Sequence, residues 1–186
     1  MSVVWIAVAV FAVILLYLIY LFNRLVSLRN RVDNGWSQID VQLRRRYDLI
    51  PNLVETVKGY AAHERELFEH VAEARSRAID ASTVGDQAQA ENQLTSGLRR
   101  LMAVAENYPE LKASQNFLGL QEELTGTESR IAYARQFYND QVMLLNTRIQ
   151  AVPSNIVAKV FGFTPREFFD IEDPIRGPVR VDLTNP

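Results

Sequence analysis

The chain has 186 residues, and its 20 Lys and Arg nearly balance its 22 Asp and Glu, which gives a formal net charge of -2. A nucleic-acid-binding protein usually presents a strongly basic face, so this balance argues against that class. Cysteine is absent, which excludes disulfides, a thiolate nucleophile and cysteine metal sites.

The first predicted element is the apolar run over residues 3–22, VVWIAVAVFAVILLYLIYLF, which contains no charge, Gly or Pro. About twenty such residues form a helix that crosses a bilayer core. A cleaved signal peptide fits less well, because no basic residue precedes the run and Tyr20 and Phe22 fill its end. A buried core helix fits less well too, because such helices rarely stay apolar on every face. We therefore predict a transmembrane anchor over residues 1–23.

The flanks of this run predict the membrane interface and the sidedness. Aromatic rings near both ends favour the headgroup level, and basic side chains after the run favour the cytoplasmic side. The predicted interface residues are Trp5, Tyr17, Tyr20, Arg24, Arg29 and Arg31. The rest of the chain is then expected in the cytoplasm.

A long amphipathic helix follows without a break. Its apolar positions advance by three or four residues, as in a heptad-like helical stripe: Leu25, Leu28, Val32, Trp36, Ile39, Leu43, Tyr47 and Ile50. The stripe keeps its phase beyond Pro51, so we predict one helix, kinked near the proline and ending near Ile79. A true break at Pro51 is the alternative.

Two further long helices complete the predicted domain. Residues 81–86 have the composition of a loop, and a second helix starts near Gln87 and ends at Pro109. A third helix starts near residues 111–114 and runs to Pro153, with Val152 still on its apolar face. A short helix is expected over residues 155–160. The fold class is all-α, an antiparallel bundle over residues 24–160 joined to the membrane helix.

Residues 161–186 form a predicted aromatic-rich tail. Residues 179–183 alternate like a strand that lacks a partner in a helical bundle. Its apolar side chains are predicted to contact a second copy or a partner: Phe161, Phe163, Phe168, Phe169, Val179 and Val181.

Few polar residues point to chemistry. His63, Glu66 and His70 would span almost two turns of one helix, which is too far for a single metal ion, and the HExxH spacing is absent. A polar layer inside the bundle is predicted from Asp40, Asp48, Glu128 and Arg135, with helix register as its role. The run Arg44, Arg45 and Arg46 is expected to be solvated or to meet Glu122, Glu123 and Glu128.

Several long motifs resemble the LemA family in order and spacing. They are LVSLRNRVDNGWSQIDVQLRRRYDLIPNLVETVKGYAAHE, then AENQL with LRRLMAVAENYPELKASQNFLGLQEELTGTESRIAYARQFYND, and FGF after a proline. The resemblance runs from about residue 23 to residue 163 and is looser beyond. It implies a single-pass membrane protein with an antiparallel helical-bundle domain, expected here in the bacterial inner membrane. No enzymatic activity or cofactor is established for the family, so we expect neither.

These observations lead to two main functional hypotheses, beside a third and weaker one, an enzyme or metal sensor that uses His63, Glu66 and His70. The first is a self-associating scaffold at the cell envelope, without catalysis, whose partners are lipid and further copies of the chain. The second is an adaptor or regulator of a membrane metalloprotease of the HtpX type. It is motivated by what the resemblance implies about genomic neighbours, which also include TPM-domain proteins.

Overall fold

The computed structural model describes residues 1–171, and within them the chain is all-α, as predicted. No strand occurs in that part of the chain, and the predicted strand over residues 179–183 lies outside the described residues, as do Val179 and Val181. The helices are α1 Ser2–Lys58, α2 Arg65–Asp80, α3 Val84–Glu106, α4 Pro109–Lys112, α5 Gln115–Gln150 and α6 Ser154–Val160.

The described chain divides into two compact units. The first consists of Met1–Leu49 and Gly119–Phe168. The second consists of Ile50–Leu118 together with residues 169–171 of the described tail.

The first unit is built on the antiparallel pairing of α1 and α5. The two helices run in opposite directions: Arg45 of α1 contacts Glu123 of α5, and Trp36 contacts Tyr138. Phe22, nearer the start of α1, contacts Phe161, which directly follows α6. The predicted stripe of α1 faces this pairing. Its buried members in this unit are Leu25, Leu28, Val32, Ile39, Leu43 and Tyr47, and those of α5 are Leu124, Ile131, Ala134, Tyr138, Val142 and Leu145.

Gly35 lies at a close approach of the two helices. A Cβ atom at Gly35 would stand 3.2 Å from the Cα of Tyr138 and 3.3 Å from Cδ1 of Phe137. A side chain here would push against the backbone of α5, which a rigid helix cannot easily move. Glycine is therefore used for close packing and not for flexibility.

Burial changes sharply along α1. Every residue from Met1 to Tyr20 is exposed, whereas Leu21 is buried and the stripe is covered from there on. The described protein thus begins to cover α1 at Leu21, at the end of the apolar run.

The predicted continuation of α1 through Pro51 is confirmed, whereas the predicted end near Ile79 is wrong. The helix continues through Pro51 but ends at Lys58 rather than near Ile79. Gly59 follows, and the amides of Tyr60 and Ala61 both donate to the carbonyl of Val57, which closes the helix with a turn. The periodicity misled because α2 buries Phe68, Val71, Ala74 and Ala78 in the same phase.

The second unit contains the antiparallel pair α2 and α3. Thr83 caps α3 by accepting a hydrogen bond from the Asp86 amide at 3.0 Å, as an N-cap threonine does. This cap starts α3 at Val84, so the loop predicted over residues 81–86 is limited to residues 81–83. The apolar face of α3 is buried through Leu94, Leu98, Leu101 and Ala105, as the sequence predicted.

The third long helix and the short helix after it are confirmed as α5 and α6. Val152 was predicted to face inward but is exposed, because α5 ends at Gln150 and its periodicity no longer orients the next residues. Residues 163–168 then return along α5. Asn146 holds them by accepting from the Arg166 amide and donating to its carbonyl, each at 2.9 Å.

Candidate interaction surfaces

Two of the three arginines at residues 44–46 meet acids of α5 within the first unit, which was one of the two alternatives predicted for the run. Arg45 Nη2 lies 2.7 Å from Glu123 Oε2, and Arg46 Nη2 lies 3.4 Å from Glu128 Oε1. The Arg45 pair is exposed, whereas the Arg46 side chain is only 4% exposed. Arg46 is therefore the buried charge of this interface.

Other members of the predicted polar layer lie elsewhere. Asp40 pairs with Arg44 on the surface of α1 at 3.0 Å, and Asp48 is exposed. Arg135 is half-buried on α5. Glu128 does reach the interface, where it contacts Arg46. The burial of Arg46 was not predicted from the sequence. Its spacing was nevertheless a signal, because Arg46 lies on the apolar stripe between Leu43 and Ile50.

Tyr138 joins α1, α5 and the returning tail. Its ring lies 5.5 Å from that of Trp36, and its hydroxyl donates to the carbonyl oxygen of Glu167 at 2.9 Å. Burial raises the pKa of the Tyr138 hydroxyl, with Arg166 opposing and Glu167 and Asp33 adding to the rise. The hydroxyl therefore remains protonated as a hydrogen-bond donor.

The second unit contains a buried carboxyl group that sequence reasoning missed. Glu91 on α3 is fully buried, and Gln87 one turn earlier donates to Glu91 Oε1 at 3.4 Å and to the Ala78 carbonyl at 3.0 Å. Gln87 thereby ties the start of α3 to the end of α2. The spacing of Glu91 from Ala88 and Leu94, both buried, was the available signal.

An apolar groove lies on the surface of the first unit between α1 and α5. We call it the α1–α5 groove. It has a volume of about 590 Å³, and its lining residues are Ser37, Gln38, Val41, Gln42, Arg130, Tyr133, Ala134 and Phe137. Tyr133 is 76% exposed, and Val41 and Phe137 are also exposed. The buried Oε1 of Gln42 has no hydrogen-bond partner in the described part of the chain.

A second groove, of about 570 Å³, lies in the second unit beside Pro51. Its lining residues are Ile50, Pro51, Val54, Glu55, Lys58, Gly59, Ala72 and Arg75. It is more strongly charged than the α1–α5 groove, because Glu55, Lys58 and Arg75 contribute to it.

Two tail aromatics pack on α1 at the end of the apolar run. The ring of Phe22 lies 4.7 Å from that of Phe161 and 5.9 Å from that of Phe163. The guanidinium of Arg29 stands over the Phe163 ring at 5.3 Å, a cation–π contact.

The predicted partner-contact residues of the tail differ in exposure. Phe161 and Phe168 are both exposed, whereas Phe163 is half-buried. Phe169 is fully buried, so its place among the partner contacts is corrected: its ring is already covered within this chain.

The histidines do not form a metal site. Within residues 1–171 there is no group of three His, Cys, Asp or Glu side chains that could hold a metal ion. His63 lies in the turn before α2, so it does not share a helix with Glu66 and His70 as the sequence predicted. His70 lies beside Gly97 of α3.

The described fold defines a helical protein whose first helix begins with a long, exposed apolar stretch. One described helix, α1, is long and apolar enough to cross a membrane by length and composition, which suggests a membrane location. The LemA family profile matches residues 35–183. The chain belongs to the LemA family.

Curated relatives agree with this assignment. Magnetosome protein MamQ 2 of Paramagnetospirillum magneticum is 27% identical over 174 residues, which cover 80% of this chain and 64% of that protein. Magnetosome protein MamQ of Magnetospirillum gryphiswaldense is 25% identical over 174 residues, again covering 80% of this chain and 64% of that protein. Protein LemA of Metamycoplasma hominis is 27% identical over 139 residues, covering 74% of this chain and 63% of that protein. The chain thus spans less than two thirds of each relative. None of these names states an enzymatic activity.

Proposed function

We propose that this protein is a membrane-anchored helical scaffold that self-associates at the bacterial cell envelope and performs no catalysis. The observation that carries the proposal is the α1–α5 groove, where Tyr133, Phe137 and Val41 leave apolar surface exposed on both walls. Exposed apolar surface of this kind is typical of protein interaction sites.

The anchor makes a second copy the natural occupant. The α1 wall of the groove lies at residues 37–42, about 22 to 30 Å beyond Phe22 at 1.5 Å per residue. Copies anchored in one bilayer with one sidedness all carry the groove at this height. Confinement to a membrane raises the effective concentration of neighbouring copies, which favours weak lateral contacts.

The groove also carries groups that can contact another chain, namely the Arg130 guanidinium and the exposed Tyr133 side chain. An isologous contact places the same patch of both copies face to face. The Tyr133 ring of one copy can therefore occupy the groove of the next.

Replacing Tyr133 and Val41 together by Ser tests this contact. The wild-type chain should migrate as an oligomer by native mass measurement in mild detergent, and Y133S/V41S should migrate as a monomer with an unchanged melting temperature. Tyr60→Ser and Ile79→Ser, two exposed apolar positions in the second unit, are the matched control and should leave the oligomer intact. A monomeric wild type, or a fully assembled Tyr133 and Val41 variant, would contradict the proposal.

The membrane part of the proposal places the span in the bacterial inner membrane and the bundle in the cytoplasm. Support comes from Arg24, Arg29 and Arg31, which all follow the span and are exposed, as the positive-inside rule expects of the cytoplasmic side. Alkali should fail to extract the protein from vesicles. Protease added outside spheroplasts should leave the bundle intact, and trimming would reverse the sidedness.

The second candidate is an adaptor or regulator of a membrane metalloprotease or a TPM-domain protein. The charged groove beside Pro51 favours a partner different from this chain, because its Glu55, Lys58 and Arg75 can pair with charges of an extended segment. Co-purification from membranes with and without the protease gene separates the candidates. Oligomers that form from the purified chain alone support the scaffold.

A further inference from the structure

Apolar side chains also lie exposed at the corner where α5 ends and α6 begins. We call residues 152–161 the α5–α6 corner. Its exposed apolar residues are Val152 at 80%, Ile156 at 60%, Val160 at 73% and Phe161 at 61% exposure. Val157 and Ala158, on the opposite side of α6, are buried. The short helix is thus apolar both toward the core and toward its surroundings.

The corner lies beside the end of the apolar run of α1, and this position indicates what surrounds its exposed side chains. Its Phe161 packs on Phe22, with ring centroids 4.7 Å apart. Phe22 is the last residue of the apolar run, which is about 30 Å long and matches the thickness of a bilayer core. Residues up to Tyr20 are exposed and Leu21 is buried. When α1 spans the bilayer, Phe22 and Phe161 therefore lie at the boundary between acyl chains and headgroups.

The charges around the corner suit a lipid surface. Residues 23–32 and 141–165 contain no Asp or Glu, although the whole chain has a net charge of -2. They contain five exposed cations: Arg24, Arg29, Arg31, Arg148 and Lys159. A cluster of cations next to a membrane is attracted by anionic headgroups.

We propose that the α5–α6 corner inserts the side chains of Val152, Ile156, Val160 and Phe161 into the headgroup and acyl boundary of the bilayer that α1 spans. The corner is then a second membrane contact of the first unit, of the kind made by interfacial amphipathic helices. The inference rests on the membrane anchor of the proposed function and is independent of self-association. Two contacts, one through α1 and one beside it, fix how the first unit is rotated about α1.

Single labels in the full-length chain test the contact, since the absence of cysteine allows one site to be labelled at a time. Ile156→Cys and Val160→Cys would carry a nitroxide in vesicles that contain phosphatidylglycerol. Collision rates with oxygen, which partitions into lipid, and with a water-soluble nickel chelate report the environment. The ratio of oxygen to nickel collisions should be several-fold higher at both sites than at Gln121→Cys, an exposed position of α5 in the same unit and outside the α1–α5 groove.

A label at Ile14→Cys reports the anchor itself. A high ratio at Ile14, with ratios at 156 and 160 no higher than at Gln121, overturns the corner contact and leaves the anchor standing. A low ratio at Ile14 overturns the anchor, and with it the proposed function.

Lipid composition and dilution distinguish the remaining occupants. Replacing phosphatidylglycerol by phosphatidylcholine should lower the ratio at Ile156 and leave that at Ile14 unchanged, and equal ratios would contradict the role of the cations. If a second copy covers the corner, the label at Ile156 becomes more accessible to nickel as the protein is diluted with lipid. That outcome also overturns the proposal.

Discussion

Two stretches of α1 are equally helical and differ in what surrounds them. Residues 3–20 are apolar and exposed on every face, whereas residues 21–57 alternate apolar and polar positions and bury only one stripe. The first stretch has the uniform surface that a lipid environment requires. The second has the periodic surface that packs on neighbouring helices.

The difference shows that periodicity, more than apolar content, decides which side chains a protein covers with its own atoms. Ile14 and Ile39 are the same residue type in the same helix, yet Ile14 is exposed and Ile39 is fully buried. Substitutions that are identical in chemistry should therefore have opposite consequences in the two stretches.

The largest effect is expected from truncating these two isoleucines. Ile39→Ala leaves a cavity between α1 and α5 and should lower the free energy of unfolding by about 2–5 kcal/mol. Ile14→Ala should leave it unchanged, because Ile14 is exposed and its truncation leaves no internal cavity. Chemical denaturation in detergent measures both, and equal losses would contradict the distinction between the stretches.

The second prediction compares an ion pair whose arginine lies on the buried stripe of α1 with an ion pair on the exposed face of the same helix. Glu128→Gln weakens the pairing of Arg46, which is buried, and should cost about 1–2 kcal/mol, allowing for the partly exposed carboxylate. Asp40→Asn breaks the exposed pair with Arg44 and should cost less than about 0.5 kcal/mol. Thermal unfolding of both variants gives the comparison, and similar melting temperatures would show that Arg46 does not depend on Glu128.

Tyr138 is expected to make the stability of the first unit depend on pH. Its pKa is raised by burial, so the stability it provides is complete below the pKa of the unfolded chain, about 10. That stability is lost as the pH rises through the folded-state pKa, because the unfolded chain ionises first. Tyr138→Phe should remove this part of the pH dependence and, with the hydrogen bond to Glu167, cost about 0.5–1.5 kcal/mol at neutral pH. Denaturation curves measured between pH 8 and about 11 test this prediction. If the free energy of unfolding falls with pH equally in the wild type and in Tyr138→Phe, Tyr138 is not the titrating group.

The smallest effects concern two glycines of the first unit. Gly126→Ala meets no atom within 4 Å and should stabilise α5 by about 0.5–1 kcal/mol through helix propensity. Gly35→Ala gains the same propensity but presses on the Tyr138 backbone at 3.2 Å, so it should be neutral or destabilising. If both variants melt higher than the wild type, the close approach of α1 and α5 is looser than described.

Periodic positions made much of the fold predictable from the sequence. The stripe from Leu25 to Ile50, the extent of α5 and the short helix α6 all follow from spacing and from Pro153. The continuation of α1 through Pro51 was predictable as well, because the phase of the stripe does not change there.

Features that depend on local turns or on a neighbouring helix were not predictable. The turn after Lys58 was hidden because α2 continues the phase of α1. The burial of Arg46 and Glu91 depends on what faces them across α5 or within the second unit, and a run of three arginines resembles a solvated surface. The α1–α5 groove, similarly, requires knowledge of which side chains of two distant segments lie next to each other.

The continuity of α1 from Ser2 through the first unit means that no hinge separates the apolar run from the α1 wall of the groove. A bilayer thinner than the run would be matched by tilting the helix, and that tilt would turn the groove by the same angle. In the proposed assembly, lipid thickness therefore sets whether the grooves of neighbouring copies face each other.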